Sequence, residues 1–371
     1  MHRAIIALAA LWLFAADLPA FEWELHQFDG RDYASLKKVK EFYSMEEDGQ
    51  APEKTMFLSK PRCSLRLTRD SREVEINGAL FTLCFPIIER DGAYWISRMD
   101  LGKTVEPALR PEAVPGIHNF TTVVLDPGHG AQDKGAASPY QYEKNFALDV
   151  ARRLRDNLQK SGLKVVMTRN SDVFVELQER AAIANETPSC IFVSLHFNAS
   201  PNFSASGLEI FCITPRGAPS TEYDELVVRD MVQESGNESE LPSLVLASAI
   251  TNALQGSSLT MLDRGLKRAR FAVLRLTKVP AVLVEGGFLS NLKDAALVAN
   301  TEWRNKYAQA IATGILEYKR LAEFKEPPRQ VADYRNGVPP RTSQPLPVSP
   351  TPAKTAPADI SLRDLPDEKP N

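Results

Sequence analysis

The chain has 371 residues, 43% of them hydrophobic and 25% charged, which is enough to bury at least one full core and favours two folded units. Its formal net charge of -3 and sequence pI near 6.1 provide no basic surface, which argues against nucleic acid as a partner.

Residues 1–20 have the pattern of a secretory signal peptide. A basic start precedes an apolar run from Ala4 to Ala16, and Ala20 provides a small residue for cleavage. The run is too short to span a bilayer comfortably, so a membrane anchor is the less favoured interpretation. We therefore expect an exported protein of the periplasm or cell envelope, with no membrane span after cleavage.

Residues 21–115 mix short elements of both kinds and predict a small α+β module. Apolar residues at helical spacing predict an amphipathic helix within 33–43. The strands that follow should turn at Asn77-Gly78 and at Asp91-Gly92, because both dipeptides tolerate the positive φ angles of a type I′ hairpin.

The start of this module also resembles a known family. The order of Phe28–Tyr33, a helix and a hairpin is similar to the small β-rich modules related to the N-terminal domain of copper amine oxidases. That resemblance implies either a stalk or a wall-binding appendage.

Export would permit disulfide bonds between the four cysteines. Cys63 and Cys84 share the N-terminal module and could pair, which the sequence does not establish. Cys190 and Cys212 lie in strand-like runs, which favours buried, unpaired thiols. The spacing of the cysteines does not match that of a zinc ribbon.

Residues 101–120 are rich in proline and glycine and predict a linker to a second domain over 121–322. There, strand and helix patterns alternate, which predicts an α/β fold with a mostly parallel twisted sheet and helices on both faces. The expected helices are 143–160, 175–185, 244–254 and 303–321, and the expected strands are 163–168, 190–195, 208–213, 271–276 and 281–284.

Two segments depart from this alternation. Residues 215–242 are acidic and polar, and we interpret them as an inserted surface loop or lid with a short helix near 223–232. Residues 326–371 contain 11 of the chain's 26 prolines and almost no large apolar side chains, so a disordered or polyproline-like tail is expected.

Three apolar strands of the second domain each end at a residue that can carry chemistry. The run Val123–Leu125 leads to His129, a second strand delivers His196, and a third delivers Glu285 before two glycines. Parallel strands would bring these residues to one edge, where open α/β sheets bind ligands. A single histidine at a strand end is most often structural, but two that converge favour a metal site.

Two glutamates compete to be the third metal ligand, because a catalytic zinc needs three protein ligands and an open position. Glu143 begins the helix after the His129 turn, so its carboxylate can reach the same edge. Alternatively, it could simply stabilise the N-terminus of the helix by a favourable interaction with the helix dipole. Glu285 follows apolar residues, where burial would raise the pKa of its carboxyl and suit it to proton transfer. We therefore predict Glu143 as the ligand and Glu285 as the general base.

Five ordered motifs resemble those of the zinc-dependent N-acetylmuramoyl-L-alanine amidases, from about Val123 to Leu321. They are Leu125–Gly130, Glu143, Ser194–Ala199, Arg264–Lys267 and Pro280–Asn291. The resemblance implies a zinc amidase/peptidase-like fold with one Zn²⁺ per chain. It places the metal at His129, Glu143 and His196 and the catalytic glutamate at Glu285.

The resemblance also implies a reaction and partners. Zinc would activate water, and Glu285 would pass its proton to the leaving amine as the bond between the lactyl group of N-acetylmuramic acid and L-alanine breaks. Peptidoglycan is the expected partner, and the chain is expected to be a monomer. In some relatives an inserted helix covers the site until a protein activator removes it, but the 215–242 insertion is shorter and less apolar than such a helix.

Several roles stay open at this stage. Asn198 could orient substrate or satisfy the backbone of its turn. Arg169 and Arg180 could hold carboxylates of the stem peptide, although an ion pair on a helix surface is the favoured use of Arg180. The alternative functions are a zinc carboxypeptidase or other metallopeptidase that acts on muropeptides, and a non-catalytic peptidoglycan-binding protein, against which the intact Glu285 argues.

Overall fold

The structure of the protein is a computed structural model that describes residues 21–337. The predicted signal peptide at 1–20 and the predicted tail from 338 to 371 lie outside the described residues.

Residues 21–337 form fifteen strands and ten α-helices. The strands are β1 (Leu25–Phe28), β2 (Arg31–Ser35), β3 (Glu46–Glu47), β4 (Thr55–Lys60), β5 (Cys63–Thr68), β6 (Glu73–Ile76), β7 (Ala79–Thr82), β8 (Ile88–Arg90), β9 (Ala93–Ser97), β10 (Thr122–Pro127), β11 (Lys164–Met167), β12 (Cys190–Asn198), β13 (Leu208–Ile213), β14 (Asp263–Ala269) and β15 (Ala281–Phe288). The helices are α1 (Leu36–Tyr43), α2 (Arg98–Asp100), α3 (Glu106–Leu109), α4 (Glu143–Lys160), α5 (Leu177–Glu186), α6 (Glu240–Gln255), α7 (Ala272–Leu276), α8 (Leu292–Ala299), α9 (Thr301–Phe324) and α10 (Val331–Arg335).

The second domain is built on the predicted mostly parallel sheet. Its strand order is β11-β10-β12-β15-β13-β14, and β11, β10, β12 and β15 all run in the same direction. β13 runs antiparallel to β15, and β14 runs parallel to β13. Helices α4, α6 and α9 pack together over one large apolar core, whereas α5 and α7 cover a second apolar cluster. The predicted fold class is confirmed.

The predicted hairpins of the N-terminal module are present. Asn77 and Gly78 have φ angles of 54° and 84°, and Asp91 and Gly92 have φ angles of 52° and 75°. These positive values at both turn positions match the type I′ geometry that follows the twist of the flanking strands.

The N-terminal module continues the sheet of the second domain. Leu266 of β14 pairs with Phe81 of β7, and from there the sheet runs on through the antiparallel strands β6, β5, β4 and β3. Strands β1, β2, β9 and β8 form a separate four-stranded sheet. One edge-to-edge hydrogen-bonded surface therefore joins the two parts of the chain.

The linker expected over 101–120 is largely a helical connector. A π-helical turn over Leu101–Val105 follows α2 and leads into α3, and a 3₁₀ turn covers Pro111–Ala113. Pro111 lies in the first turn of its segment, where the missing N–H has no partner to lose. Pro107 follows directly on the π-helical turn within one continuous helical run.

The insertion at 215–242 does not lie over the predicted site, so the lid interpretation is wrong. Because β13 is antiparallel to β15, the C-terminal end of β13 lies beside the N-terminal end of β15. The segment therefore leaves the sheet at the opposite end of the strands from Glu285. There Arg72 Nη1 donates to the carbonyl of Tyr223 at 2.9 Å, and Ala218 packs against Cys84 and Phe85. The short helix expected near 223–232 is a single 3₁₀ turn over Val228–Met231.

Two further expectations about elements are corrected. The predicted strand at 271–276 is helix α7, since a short apolar run does not distinguish a strand from a buried helix. The strand Asp263–Ala269 was not predicted, because its charged side chains hide the apolar pattern. The remaining predicted strands and helices of the second domain are present within a few residues of their expected bounds.

The C-terminal segment is ordered further than its composition suggests. Arg329 Nε donates to Glu317 Oε1 at 2.8 Å, and both residues are buried. Arg62 pairs with Asp333 of α10 at 2.9 Å. A disordered tail from 326 is therefore wrong for residues 326–337, which are held by ion pairs instead of a large apolar surface.

The cysteines form no disulfide bond. All four are free thiols, and Cys190 and Cys212 are buried as expected, whereas the bond that Cys63 and Cys84 could have formed is not made.

Candidate metal centre and active site

The turn that carries His129 is fixed by two buried arginines. Arg169 donates to the carbonyls of Pro127 and Gly128 at 2.9 and 2.7 Å. Arg180 donates to the carbonyls of Pro127 and His129 at 2.8 and 2.9 Å. The carbonyls of this tight turn need hydrogen-bond donors from outside the turn, and the two arginines supply them.

This geometry corrects both predictions for the arginines. Arg169 is 3% exposed and Arg180 is 2% exposed, so neither can hold a carboxylate of a substrate or lie on a helix surface. Arg180 does form an ion pair, but with the fully buried Asp126 at 2.7 Å. Both arginines are supports of the site.

Asp126 connects three strands directly beneath the edge. Its carboxylate accepts hydrogen bonds from Thr168 Oγ1 at 2.6 Å and from Ser194 Oγ at 2.8 Å, in addition to the bond from Arg180. Thr168 follows β11, and Ser194 lies on β12. A buried charge with all of these donors is fully satisfied, which makes the floor of the site rigid.

The structure brings His129, Glu143 and His196 together. His129 Nε2 lies 3.0 Å from Glu143 Oε2, and His196 Nδ1 lies 2.8 Å from Glu143 Oε1. One donor atom from each of the three residues lies within 4.8 Å of the others. Two imidazoles and a carboxylate form a donor set that suits a divalent metal ion and leaves further coordination positions open.

Glu143 supplies the negative charge that a cation requires. Burial raises the pKa of Glu143, but hydrogen bonds to His129 and His196 outweigh burial and hold that pKa below its usual range. Burial lowers the pKa of His129, and hydrogen bonds to Glu143 and Asp133 reverse the effect, so the net pKa is raised. The cluster thus contains an ionised carboxylate between two imidazoles.

Asp133 was missed by the sequence reasoning and orients one of the candidate ligands. Its Oδ2 lies 2.8 Å from His129 Nδ1, and its Oδ1 accepts from the backbone of Gly135 at 3.2 Å. A carboxylate that accepts a hydrogen bond from Nδ1–H leaves the lone pair of the imidazole on Nε2, the nitrogen that faces Glu143. Its position four residues after a candidate ligand histidine was the available signal.

Two glycines allow the backbone to approach the ligands closely. A Cβ on Gly135 would lie 2.5 Å from Glu143 Oε2 and 2.6 Å from His129 Cδ2, and a Cβ on Gly128 would overlap the ring of His196. Gly135 also has a φ of 64°, a conformation that side chains disfavour. The cradle around the three donors is therefore built from backbone, as a close-fitting site for one small ion requires.

Glu285 lies beside His196 on the neighbouring parallel strand, and the two residues are in register. It is buried, and its Oε2 has no hydrogen-bond partner in the described part of the chain. Burial, followed by the charges of Glu143 and Glu209, raises the pKa of Glu285 well above its ordinary value, as predicted. An unpaired carboxyl with a raised pKa is suited to accept and return a proton.

On the other side of Glu285 lies a second carboxylate that the sequence did not reveal. Glu209 of β13 pairs directly with Glu285 across the antiparallel ladder. It accepts from Asn198 Nδ2 at 2.8 Å and from Arg264 Nε and Lys267 Nζ at 2.6 Å each. Asn198 Oδ1 also accepts from the backbone of Ala199 at 3.0 Å, so this side chain both satisfies its turn and holds Glu209.

Comparison with known proteins agrees with this geometry. The sequence model of the N-acetylmuramoyl-L-alanine amidase family matches residues 123–317, which contain all four predicted site residues. The chain belongs to the N-acetylmuramoyl-L-alanine amidase family. The resemblance drawn from the five motifs is thereby confirmed.

Individual relatives of this amidase family member are identical to it at about a third of the aligned positions. The amidase AmiC of Escherichia coli O6:H1 is 33% identical over 59% of this chain and 58% of its own length, and LytC of Bacillus subtilis is 33% identical over 60% of this chain and 40% of its own. The chain thus spans about half the length of these curated relatives. Among solved structures, the amidase AmiC2 of Nostoc punctiforme is 33% identical, with a TM-score of 0.45 over 54% of this chain and 98% of that one.

Within residues 21–337, no helix combines the length and the apolar character that are needed to cross a membrane.

Proposed function

We propose that this chain is an exported zinc amidase that cleaves peptidoglycan. The bond broken would be the amide between the lactyl group of N-acetylmuramic acid and the L-alanine of the stem peptide. The observation that carries the proposal is the unpartnered carboxyl of Glu285 beside the His129, Glu143 and His196 group. Membership of the amidase family supplies the substrate class.

His129, Glu143 and His196 would hold one Zn²⁺ per chain. When bound, zinc makes water more acidic and polarises a carbonyl oxygen. Two histidines and one glutamate are a known ligand set for catalytic zinc, and they leave a position for water. Asp133 and the backbone at Gly135 would keep the ligand atoms in place.

Glu285 would handle the proton of the reaction. Its carboxylate accepts a proton from the water that attacks the amide carbonyl, and the same group then delivers this proton to the nitrogen of L-alanine as the C–N bond breaks. The products are a free lactyl carboxyl group on the glycan and a stem peptide with a free amine. Burial raises the pKa of this carboxyl, and a raised pKa suits a group that must both accept and return a proton.

The test is the exchange of Glu285 for Gln, which keeps the shape of the side chain and removes its basicity. Release of stem peptides from purified sacculi should fall by about two to four orders of magnitude, the range for loss of a general base, while zinc content stays at that of the wild type. The matched control is Glu225→Gln, an exposed glutamate in the 215–242 segment at the far edge of the sheet.

Three outcomes would contradict the proposal. Unchanged release in Glu285→Gln would remove this residue from the mechanism. Hydrolysis of simple peptides in preference to muropeptides would indicate a metallopeptidase. Sacculi that the wild-type protein binds but never cuts would indicate a peptidoglycan-binding protein.

A further inference from the structure

Arg264 presents unused hydrogen-bond donors beside the active site. Its Nε donates to Glu209 Oε1 at 2.6 Å, but within residues 21–337 no protein acceptor takes a hydrogen bond from its Nη1 or Nη2. The side chain of Arg264 is 34% exposed, whereas that of Glu209 is 4% exposed. The buried carboxylate of Glu209 therefore binds the Nε–H of Arg264, and Nη1 and Nη2 remain available on the partly exposed side chain.

The position of this guanidinium is defined by the sheet. Glu209 lies directly opposite Glu285, and Arg264 Cζ lies 5.2 Å from the ring centre of Phe288, three residues after Glu285 on the same strand. His196 flanks Glu285 on the other side. Arg264 is therefore next to the general base, on the side away from the three predicted metal ligands.

Neutralising Glu209 does not require Arg264. Lys267 Nζ bonds the same oxygen at 2.6 Å, and Asn198 Nδ2 bonds the other oxygen at 2.8 Å. Glu209 therefore keeps a cationic partner and a second hydrogen bond without the outer nitrogens of Arg264. A planar guanidinium fixed in this way is suited to bind a carboxylate through two parallel hydrogen bonds.

We propose that Arg264 is a specificity-determining residue that binds a carboxylate of the stem peptide through Nη1 and Nη2. The inference rests on the proposed amidase function. Only β13 separates β14 from β15, so Arg264 and Glu285 lie about two strand spacings apart, at about 4.8 Å each. An extended peptide advances about 3.3–3.6 Å per residue, which brings the first residues of the stem within reach of the guanidinium. We assign the bound carboxylate to the second residue of the stem, which follows L-alanine.

The experiment compares two muropeptides that differ at one group. One has a free α-carboxylate on the second residue of the stem, and in the other this group is a carboxamide. Wild-type protein should prefer the carboxylate form by about ten- to a hundredfold in kcat/KM, the range for a charge-assisted contact. Arg264→Gln should bring this ratio close to one, mainly through KM, and Arg264→Lys should retain part of it.

A matched control and a second readout separate recognition from folding. Arg216→Gln removes an exposed arginine at the opposite edge of the sheet and should keep the wild-type ratio. Calorimetric binding of both muropeptides to Glu285→Gln, with and without Arg264→Gln, measures the same preference without turnover.

The inference is overturned if wild-type protein does not prefer the carboxylate, or if Arg264→Gln lowers activity on both muropeptides equally. An unchanged ratio in Arg264→Gln would overturn it as well. Failure of the proposed function looks different, since wild-type protein would then cleave neither muropeptide. The calorimetric comparison would still decide the role of Arg264 in that case.

Discussion

Asp133 provides the sharpest test of how the metal centre is built. Its Oδ2 lies 2.8 Å from His129 Nδ1, which leaves Nε2 to face the proposed metal position. Asp133→Ala removes this partner, and Asp133→Asn keeps a hydrogen-bonding group but removes the charge. Loss of a group that orients a ligand typically costs 10- to 100-fold in metal affinity, or about 1.4–2.7 kcal/mol.

The structure narrows this range. The side chain of Asp133 is 43% exposed, so solvent screens its charge, and we expect about tenfold weaker zinc binding for Asp133→Asn. Asp133→Ala should be weaker still, because the bond to the backbone of Gly135 is lost as well. The effect should shrink at acid pH, since Asp133 also raises the pKa of His129 and its removal reduces proton competition for the ligand.

The assay is competition for zinc with a chromophoric chelator at several pH values. Asp156→Asn, an exposed carboxylate on α4 that is paired with Arg155, is the matched control. Zinc affinity that is unchanged in Asp133→Ala would refute the reasoning. The orientation of His129 would then be set by the turn and its bond from Arg180 alone.

Two further predictions concern the supports of the site. Arg180→Met leaves the charge of Asp126 buried and unpaired, so the free energy of unfolding in urea should fall by about 3–5 kcal/mol. The control Arg229→Met, at an exposed arginine, should change this free energy little. A loss below about 1 kcal/mol in Arg180→Met would contradict the prediction. Glu209→Gln removes a negative charge that helps to raise the pKa of Glu285, so the acid limb of the pH dependence of kcat/KM should move to lower pH, and a limb that stays or moves to higher pH would count against the assigned cause.

Much of the site could be predicted because its residues follow local patterns. An apolar β-branched run that ends at proline and glycine is a strand that ends at a turn, whatever surrounds it, and this pattern located His129. Similar patterns located His196 and Glu285. Glu143 begins a helix of the predicted length, and that helix starts and ends at the predicted residues.

The partners of these residues could not be predicted, because they depend on contacts that are remote in sequence. Arginine is a residue type that often binds substrate carboxylates. In this fold, however, Arg169 and Arg180 are buried and donate to the backbone carbonyls of the His129 turn. Glu209 looks like an ordinary strand residue until β13 pairs with β15.

The direction of β13 is the clearest case of what only the tertiary structure decided. The sequence by itself determined that 208–213 is a strand, but a strand pattern reads the same in both directions, and polarity is set by which neighbour it pairs with. Because β13 pairs antiparallel to β15, the 215–242 insertion begins at the opposite end of the strands from the site, and Glu209 lies beside Glu285. Local sequence patterns thus identified the four predicted site residues, whereas the pairing of the strands determined which charged groups surround them.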